Sequence, residues 1–378
     1  MPNVRVLFSC TGVGIFNRGI ESFFREAFDG LKDAMPGIEA RLLKGADEGG
    51  NGKNIGAREK AIWCLPRIGR LAPLIGKLTG RSAYAVEQWS SFLPVAQEIR
   101  RWKPHVIFYS DANLGFLLYR FRKQIGVPFR LLFSNGGPVQ APFIRTDFVH
   151  QVAPLYLQEA LAAGEPKEKH FMIPYGIKTN EPPVLDWAEK RLLRQKLGLP
   201  FDQKFILSVG WIAREHKRMD YVIEEVAKLP APRPFLQLLG AMDEKSQEVV
   251  DFGVRKLGVE NFSVKSVPYE QVNDYYRAAD CFVLASLKEG YGRVYLEALM
   301  HGLPTIGHHH PVIEYVLGDV GIKGDLSREG ELTSLLMHVL RQPARIEASV
   351  KRWEAMRDRF SWSTLAPKYR EMFCTVAT

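Results

Sequence analysis

Residues 281–300 read CFVLASLKEGYGRVYLEALM, an apolar run that passes through a glycine-rich turn into a segment of helical character. The short apolar run at its start is typical of a buried strand. Gly290 and Gly292 allow the backbone to turn sharply and to approach a ligand closely. The stretch therefore predicts a strand, a tight turn and a helix, with Glu289 before the turn and Glu297 about one turn into the helix.

The same succession of strand and helix recurs along the chain. Short apolar runs alternate with longer segments of helical period, of which residues 19–34 are an example. Strands that alternate with helices form right-handed βαβ units around a buried parallel sheet. Strands are predicted at residues 4–10, 39–45, 105–110, 129–135, 171–176, 204–210, 235–240, 262–267, 281–286 and 304–308.

The length of the chain predicts two domains. One ordinary core does not extend over 378 residues, and the polar, proline-containing segment 178–187 is suited to a linker. We therefore predict two Rossmann-like α/β domains, residues 1–180 and 181–361, with parallel sheets that face a central cleft. Ligands of such proteins usually bind at the carboxyl ends of the strands.

The composition excludes several classes of protein. Hydrophobic residues make up 46% of the chain and charged residues 25%, which is ordinary for a soluble globular protein and excludes general disorder. No apolar run is long enough for a membrane span, and the first strand begins without the apolar segment of a signal peptide. The four scattered cysteines form no C-x-x-C pair, which indicates reduced thiols in a cytosolic protein.

The net charge of +9 suggests an anionic partner, and the charge is concentrated in one segment. Between residues 53 and 84, seven basic residues accompany a single acid, Glu59, and are interleaved with apolar residues. The pattern fits a solvated helical surface. It fits equally well a cationic, partly apolar flap that meets an anionic membrane surface or a phosphorylated acceptor. Pro66 and Pro73 exclude one long helix there.

The turn after the first strand is rich in glycine. It contains Gly12, Gly14 and Gly19, but Asn17 replaces the third glycine of a dinucleotide fingerprint, so nicotinamide binding is poorly supported. Gly19 immediately precedes a predicted helix, where backbone N–H groups and the helix dipole form an anion seat. A tight backbone turn is by itself a sufficient reason for glycine at positions 12 and 14.

A basic loop, SVGWIAREHKRMD at residues 208–220, follows the first predicted strand of the second half. Its cations lie where a parallel sheet exposes its carboxyl edge, and there they could neutralise a diphosphate. A charged loop by itself is more often merely solvated. The cations are Arg214, His216, Lys217 and Arg218.

The two glutamates of the first stretch also have two interpretations. In the first, they are two solvent-exposed acids near the start of a helix. If a ligand binds, Glu289 and Glu297 can reach different hydroxyls of one extended molecule, while the N–H groups of Tyr291, Gly292 and Arg293 meet its anionic part. They do not fit a glycosidase pair, which needs two carboxylates facing each other across one bond.

Four motifs occur together in a fixed order: IPYGI (173–177), the VG…HKRMD loop (209–220), the E-x7-E element of Glu289 and Glu297, and HGLPTIGHHHPVIEYVLGDVG (301–321). In this order they resemble the retaining glycosyltransferase family 4, of the GT-B fold. The resemblance is strongest from Phe171 to Asp325. It implies that the last helix, residues 362–378, returns to the N-terminal domain.

The resemblance also implies roles by position. Glu297 is similar to the glutamate that binds the nucleotide ribose, and Glu289 to the one that holds donor-sugar hydroxyls beside the backbone of residues 290–293. Lys217 would neutralise the donor diphosphate, and the amide of Gly19 would face the distal phosphate. Asp111 is the candidate for positioning the acceptor. Four further residues are assigned to the acceptor side: Gly12, Gly14, Ser110 and Asn113.

The sequence departs from the family at several positions. Trp211 stands where arginine is usual, and Arg214 is the candidate replacement cation. Arg18 replaces the first residue of a glycine pair, and Ser110 stands where many members carry histidine. Three consecutive histidines, His308 to His310, cannot easily converge on one ion, so no metal is expected. One of them is a candidate to touch the donor sugar or the acceptor.

The function implied by the resemblance is metal-independent transfer of a sugar, with retention, from a UDP- or GDP-sugar to an acceptor hydroxyl. The acceptor would be a glycan, a lipid-linked sugar or a small molecule, with no cofactor and no nucleic acid. Three alternatives remain: a degenerate GT-B protein that binds a nucleotide sugar or a partner without transfer, a phosphorylase and an epimerase. The expected location is the cytoplasm, with the inner membrane face as a peripheral site.

Overall fold

The computed structural model describes residues 3–16, 19–45, 58–137, 139–184 and 186–378. The chain folds into two compact units, Met1–Lys178 with Phe360–Thr378, and Thr179–Arg359. The boundary between them falls at the start of the polar segment 178–187. The last residue of that segment, Trp187, already begins a helix, whose first turn is capped by Asp186.

The first unit contains one parallel sheet. Its described strands are β1 (Val4–Cys10), β2 (Ile38–Lys44), β3 (Glu59–Ala61), β4 (Val106–Tyr109), β5 (Arg130–Asn135), β6 (Phe148–Gln151) and β7 (His170–Met172). They lie in the order β3-β2-β1-β4-β5-β6-β7. The order reverses between β1 and β4, so the loops after these two neighbouring strands meet at one edge of the sheet.

The helices of this unit flank its sheet. They are α1 (Gly19–Leu31), α2 (Leu71–Thr79), α3 (Ala83–Ser90), α4 (Phe92–Trp102), α5 (Ala112–Arg120), α6 (Arg122–Ile125) and α7 (Pro154–Ala162), with a short 3-10 helix at Lys167–Lys169. The apolar stripe of α1 is buried. Phe23 and Phe24 of that stripe lie within 6.3 and 5.1 Å of the Phe108 ring of β4, measured between ring centroids.

The second unit repeats the architecture. Its described strands are β8 (Phe205–Val209), β9 (Phe235–Leu239), β10 (Phe262–Lys265), β11 (Cys281–Leu284), β12 (Thr305–His308) and β13 (Ile322–Gly324), in the parallel order β10-β9-β8-β11-β12-β13. The helices are α8 (Trp187–Leu197), α9 (Met219–Ala227), α10 (Ser246–Leu257), α11 (Tyr269–Ala278), α12 (Arg293–Met300), α13 (Pro311–Leu317), α14 (Glu331–Arg341) and α15 (Ile346–Phe360). Strands β8 and β11 are neighbours, so their following loops share an edge.

The last helix, α16 (Trp362–Ala377), is part of the first unit. Ser361 caps its start by accepting a hydrogen bond from the Thr364 N–H at 3.2 Å. Phe373 packs edge-to-face against Phe8 and Phe108, at centroid distances of 5.7 and 5.5 Å. Because these rings are fully buried, α16 contributes to the hydrophobic core of the N-terminal sheet although it is the most distant part of the sequence.

The predicted fold class, two Rossmann-like α/β domains with parallel sheets, is confirmed. The sequence did not predict β3, β6 and β13, whose sequences EKA, FVHQ and IKG contain polar or charged residues and form no apolar run. Their strand conformation comes from pairing with a neighbouring strand. Among the described residues, no helix combines the length and the apolar character that a membrane span would require.

Candidate active site

The basic loop after β8 and the turn after β11 meet through an ion pair. The Lys217 ammonium lies 2.5 Å from Oε1 of Glu289, and Nε2 of His216 lies 4.0 Å from Oε2. The side chains of Lys217 and Glu289 are only 17% and 8% exposed, whereas His216 is 61% exposed. A charge-assisted pair that is partly shielded from water is stronger than one on an open surface.

The glycine turn has a specific backbone requirement. Gly292 caps the start of α12 with a φ of 78°, and a side chain there would collide with the Tyr295 ring. The Tyr295 hydroxyl donates to the Leu284 carbonyl at 3.0 Å, which fixes α12 against the end of β11. The positive end of the α12 dipole therefore lies at the turn that follows Glu289 and Gly290.

Residues 291–293 form the turn itself and the first position of the helix. The side chains of Tyr291 and Arg293 are buried, at 4% and 6% exposed. Their backbone N–H groups belong to the start of α12, at the positive end of its dipole.

Two tyrosines of α11 hold Glu297. The Tyr276 hydroxyl donates to Oε2 of Glu297 at 3.0 Å, and the Tyr269 hydroxyl donates to Oε1 at 3.3 Å. Burial, followed by the nearby Glu297 charge, raises the pKa of Tyr276 well above its ordinary value, so its hydroxyl remains a donor. The His301 ring stacks on Tyr276 and its Nδ1 lies 2.7 Å from the Glu297 carbonyl. These partners fix the orientation of the carboxylate.

The other cations of the basic loop have separate tasks. Arg218, at a φ of 49°, donates to the Leu326 carbonyl at 2.5 Å and thereby ties the loop to the segment after β13. The exposed guanidinium of Arg214 lies over the Phe252 ring, 5.3 Å from its centroid.

The basic loop also lines a pocket, and Trp211 at its start is 44% exposed. A pocket of about 390 Å³ is lined by Trp211, Ala213, Arg214, Glu215, His216, Lys217, Asp243, Lys245 and Glu248.

The acceptor-side candidates cluster within the first unit, after β1 and β4. Asp111 is 1% exposed, and its Oδ2 accepts a hydrogen bond from the Thr11 N–H at 2.6 Å. Its Oδ1 lies 3.4 Å from the Tyr84 hydroxyl and 3.3 Å from Nε2 of Gln88. The same Gln88 accepts two hydrogen bonds from Asn113, each at 2.9 Å. Asp111 and Asn113 are thus held in one network.

The sequence did not predict the other members of this buried cluster, among them Glu21, Glu87 and Arg67. Glu21 and Glu87, 2% and 0% exposed, are bridged by the Arg67 guanidinium at 3.2 and 3.3 Å. Burial raises the pKa of Asp111 to about 6; the Thr11 hydrogen bonds oppose the rise, and the charges of Glu21 and Glu87 add to it. One signal was available: Glu21 lies within the apolar face of α1, where a lone acid needs a buried partner.

The glycines of the first turn differ in their surroundings. At Gly12 a side chain would run into Glu21 and Arg67, and Gly14 adopts a φ of 82°. Both therefore have structural reasons to be glycine. Gly19 is the first residue of α1, with nothing within 4 Å of where a side chain would begin. Ser110 lies at the end of β4 beside the buried Cys10 thiol. Arg18 and Asn17 lie outside the described residues.

The three consecutive histidines point to three different partners. His308 accepts a hydrogen bond from the Leu326 N–H at 3.1 Å, and burial lowers its pKa. His309 pairs with Glu314, and His310 caps α13 by accepting from the Val312 N–H at 3.3 Å. Within the part of the chain that the structure describes, no three metal-ligating side chains converge. The expectation of a metal-independent site remains a prediction.

Comparison with known proteins bears on the second unit above all. Residues 189–334 match the family Glycosyl transferases group 1. The match contains the basic loop, the Lys217–Glu289 pair and Glu297. It covers less than half of the chain, and it leaves the N-terminal cluster outside.

Relatives of known name also match part of the chain. The mannosylfructose-phosphate synthase of Agrobacterium fabrum is 34% identical over 172 residues, which is 42% of this chain and 37% of that protein. The alpha-monoglucosyldiacylglycerol synthase of Streptococcus pneumoniae is 27% identical over 192 residues, 48% of this chain and 43% of that protein. The chain thus matches less than half the length of either relative.

A solved structure matches nearly the whole chain. HepE of Anabaena, in complex with UDP and glucose, superposes with a TM-score of 0.73 at 15% identity, covering 98% of this chain and all of that one. This likeness shows the GT-B fold. The match to the family Glycosyl transferases group 1 concerns residues 189–334 of the second unit.

Proposed function

We propose that this protein transfers a sugar from a UDP- or GDP-sugar to an acceptor hydroxyl with retention of anomeric configuration and without a metal ion. The observation that carries the proposal is the Lys217–Glu289 pair beside the N-terminus of α12. The family match includes both residues, and the structural neighbour HepE binds UDP and glucose.

The energetic task of the reaction is to stabilise the charge that develops on the leaving diphosphate. In the structure Lys217 is neutralised by Glu289. Donor binding exchanges these partners: the Lys217 ammonium turns to the diphosphate, and the Glu289 carboxylate accepts hydrogen bonds from the sugar hydroxyls. Preorganised donors of this kind can each lower the barrier by about 3 kcal/mol.

Glu297 has a binding role in this proposal. Its carboxylate is oriented by Tyr276 and Tyr269, so it can accept hydrogen bonds from the two ribose hydroxyls without a large loss of side-chain entropy. The glycine turn lies between Glu289 and Glu297 and would meet the phosphates with backbone N–H groups. The two acids therefore bind and position the donor and transfer no proton.

The chemical step has a simple balance. The bond from the anomeric carbon to the diphosphate oxygen breaks, and a bond from the same carbon to the acceptor oxygen forms on the same face. The acceptor proton passes to the departing phosphate oxygen. Lys217 and the α12 N–H groups would supply the positive charge that a divalent ion supplies elsewhere. Asp111, with Gly12, Gly14, Ser110 and Asn113, is proposed to serve the acceptor.

The names of two relatives suggest two classes of acceptor. One relative is named as a mannosylfructose-phosphate synthase and the other as an alpha-monoglucosyldiacylglycerol synthase. A small sugar phosphate and a lipid are therefore the first acceptors to test. A role in polysaccharide or glycoconjugate biosynthesis and a cytoplasmic location belong to the same proposal.

The experiment is a panel of nucleotide sugars, each tested first by thermal shift and then for release of nucleoside diphosphate in the presence of candidate acceptors with EDTA. A donor that binds the native state raises its stability. Release that requires both donor and acceptor, and that continues in EDTA, supports the proposal. Turnover only with inorganic phosphate would indicate a phosphorylase, and donor conversion without acceptor an epimerase.

A second candidate is binding without transfer. It is favoured by Trp211, an exposed indole in the pocket at the position where the resembling family usually has a cation. Stabilisation by a nucleotide sugar without diphosphate release for any acceptor would favour it. Restoration of transfer by Trp211→Arg would then show that this one residue disables the site.

A further inference from the structure

Helix α2 exposes its three leucines and buries two of its small residues. Leu71, Leu74 and Leu78 are 59%, 54% and 79% exposed, whereas Ala72 and Gly76 are buried. The three leucines recur at a spacing that places them on one side of the helix. A helix that serves only the core of a soluble protein shows the opposite arrangement.

The segment before the helix also carries exposed apolar side chains. Ile68 is 72% exposed and Trp63 is 65% exposed. We call these five residues the α2 face: Trp63, Ile68, Leu71, Leu74 and Leu78. Single exposed hydrophobic residues are ordinary, but five within so short a stretch indicate an interaction surface.

The charged residues in the segment that carries the α2 face have one sign. Arg70, Lys77 and Arg81 are exposed, and residues 60–86 contain no aspartate or glutamate. Arg70 and Lys77 lie seven positions apart and therefore on the same side of α2, next to the leucines. The surface combines aliphatic side chains with flanking cations, which complements an anionic lipid surface.

The α2 face is built on an ordered support. The Arg67 guanidinium bridges Glu21 and Glu87 and lies over the rings of Phe16 and Tyr84, at 3.8 and 4.3 Å from their centroids. Arg67 thus turns inward while its neighbour Ile68 points to solvent.

Two further contacts fix the segment. The Leu65 N–H donates to the Ser90 hydroxyl of α3 at 2.8 Å. At Gly76 a side chain would meet the Arg81 carbonyl at 2.5 Å, so the helix and the following turn are packed too closely for any larger residue. The exposure of the leucines is therefore a property of the folded unit.

We propose that the α2 face docks the protein onto an anionic membrane surface. The leucines, Ile68 and Trp63 enter the boundary between headgroups and acyl chains, and Arg70, Lys77 and Arg81 meet lipid phosphates. A second copy of this chain is a poorer occupant, because a symmetric contact would place these cations against each other. The proposal goes beyond sugar transfer and does not depend on it.

The test is co-sedimentation with phosphatidylcholine vesicles, with and without phosphatidylglycerol, at low and high salt. We expect binding to the anionic vesicles that weakens at high salt, because salt screens the cations. Leu74→Ser/Leu78→Ser should weaken binding at least about tenfold, since both leucines lose their apolar transfer energy. Arg70→Gln and Lys77→Gln should each weaken it about fivefold.

The matched control is Leu192→Ser/Val259→Ser, which changes two equally exposed residues of the other unit, at 67% and 74%, and should bind as the wild type does. Thermal unfolding of every variant checks that the fold is kept. Wild-type binding that is absent, insensitive to salt or unchanged in the leucine variant would overturn the proposal. So would dimerisation in sedimentation velocity that is lost in the leucine variant while vesicle binding is absent. Absence of transferase activity would leave the proposal standing.

Discussion

The Lys217 ammonium and the Glu289 carboxylate are direct partners at 2.5 Å, although the two residues lie 72 positions apart. One was expected at the donor diphosphate and the other at the donor sugar. Each is shielded from water, so each charge depends on the other. In the proposed reaction, a bound donor replaces each partner of the pair, so that both charges stay compensated when the lysine is released.

The first prediction concerns this pair. Lys217→Ala and Glu289→Ala should each lower kcat at least about a hundredfold, because each loses a contact to the donor at the reacting end. Diphosphate release under saturating donor is the measurement. Lys245→Ala, which changes an exposed lysine of the same pocket, is the control and should stay within about threefold of wild type.

The unfolding free energies of the same variants give an independent readout. Each single variant removes one half of a shielded ion pair, so the double variant should be destabilised by less than the sum of the two. Full activity in both single variants would contradict the assignment.

A second prediction concerns Glu297. Tyr276→Phe removes the 3.0 Å hydrogen bond that orients the carboxylate and should weaken donor binding by about 1 kcal/mol, with kcat nearly unchanged. Tyr269→Phe removes the longer contact of 3.3 Å and should have a smaller effect. Calorimetric titration with the donor measures both. An unchanged donor affinity in Tyr276→Phe would show that Glu297 does not need this support.

The buried carboxylate of Asp111 predicts a pH dependence of stability. Its pKa in the folded protein is raised to about 6 from 3.8, so the folded state holds the proton more tightly than the unfolded state does. Stability from this group is present at low pH and is lost as the pH rises from about 4 to about 6, by about 3 kcal/mol in total. Asp111→Asn should remove this part of the pH dependence.

Chemical denaturation at closely spaced pH values would measure the effect in both proteins. The difference in unfolding free energy between Asp111→Asn and wild type should grow in favour of the variant between pH 4 and 6 and stay level above that range. A difference that is constant with pH would mean that Asp111 is ionised throughout.

A fourth prediction separates two glycines of one turn. Gly12→Ala should destabilise the protein by about 1–3 kcal/mol, because the added methyl group meets Glu21 and Arg67 in a packed site. Gly19→Ala has open space around it and lies in the first turn of α1, so its stability should equal or slightly exceed that of wild type. Thermal unfolding compares the two, and equal destabilisation would exclude the packing explanation.

Much of the candidate site in the second unit was predictable from sequence because its signals are local. The strand, turn and helix at 281–300 follow from hydrophobic pattern and glycine spacing, and Glu289 and Glu297 occupy the positions that this pattern predicts. The basic loop was recognised in the same way, but the separate tasks of its cations were not. Arg218 bonds to a carbonyl 108 residues away, a contact that no local pattern records.

The cluster around Asp111 shows more clearly what a sequence pattern does not predict. Asp111 was singled out as a candidate, yet its hydrogen-bond donor Thr11, directly after β1, was not predicted. Their meeting depends on strand order, since the reversal between β1 and β4 brings the ends of these strands together. A one-dimensional pattern shows that an acid is present and gives no account of its neighbours.

The sequence alone determined the two parallel α/β units and the local geometry of each turn, because periodicity and glycine act over a few residues. Tertiary structure alone decided which charges are paired and which side of α2 is exposed. The basic and apolar residues of segment 53–84 fitted two interpretations, and only packing against α3 shows that Ala72 and Gly76 are inside and the leucines outside. Burial and charge pairing depend on contacts between distant segments, and these exist only once the chain has folded.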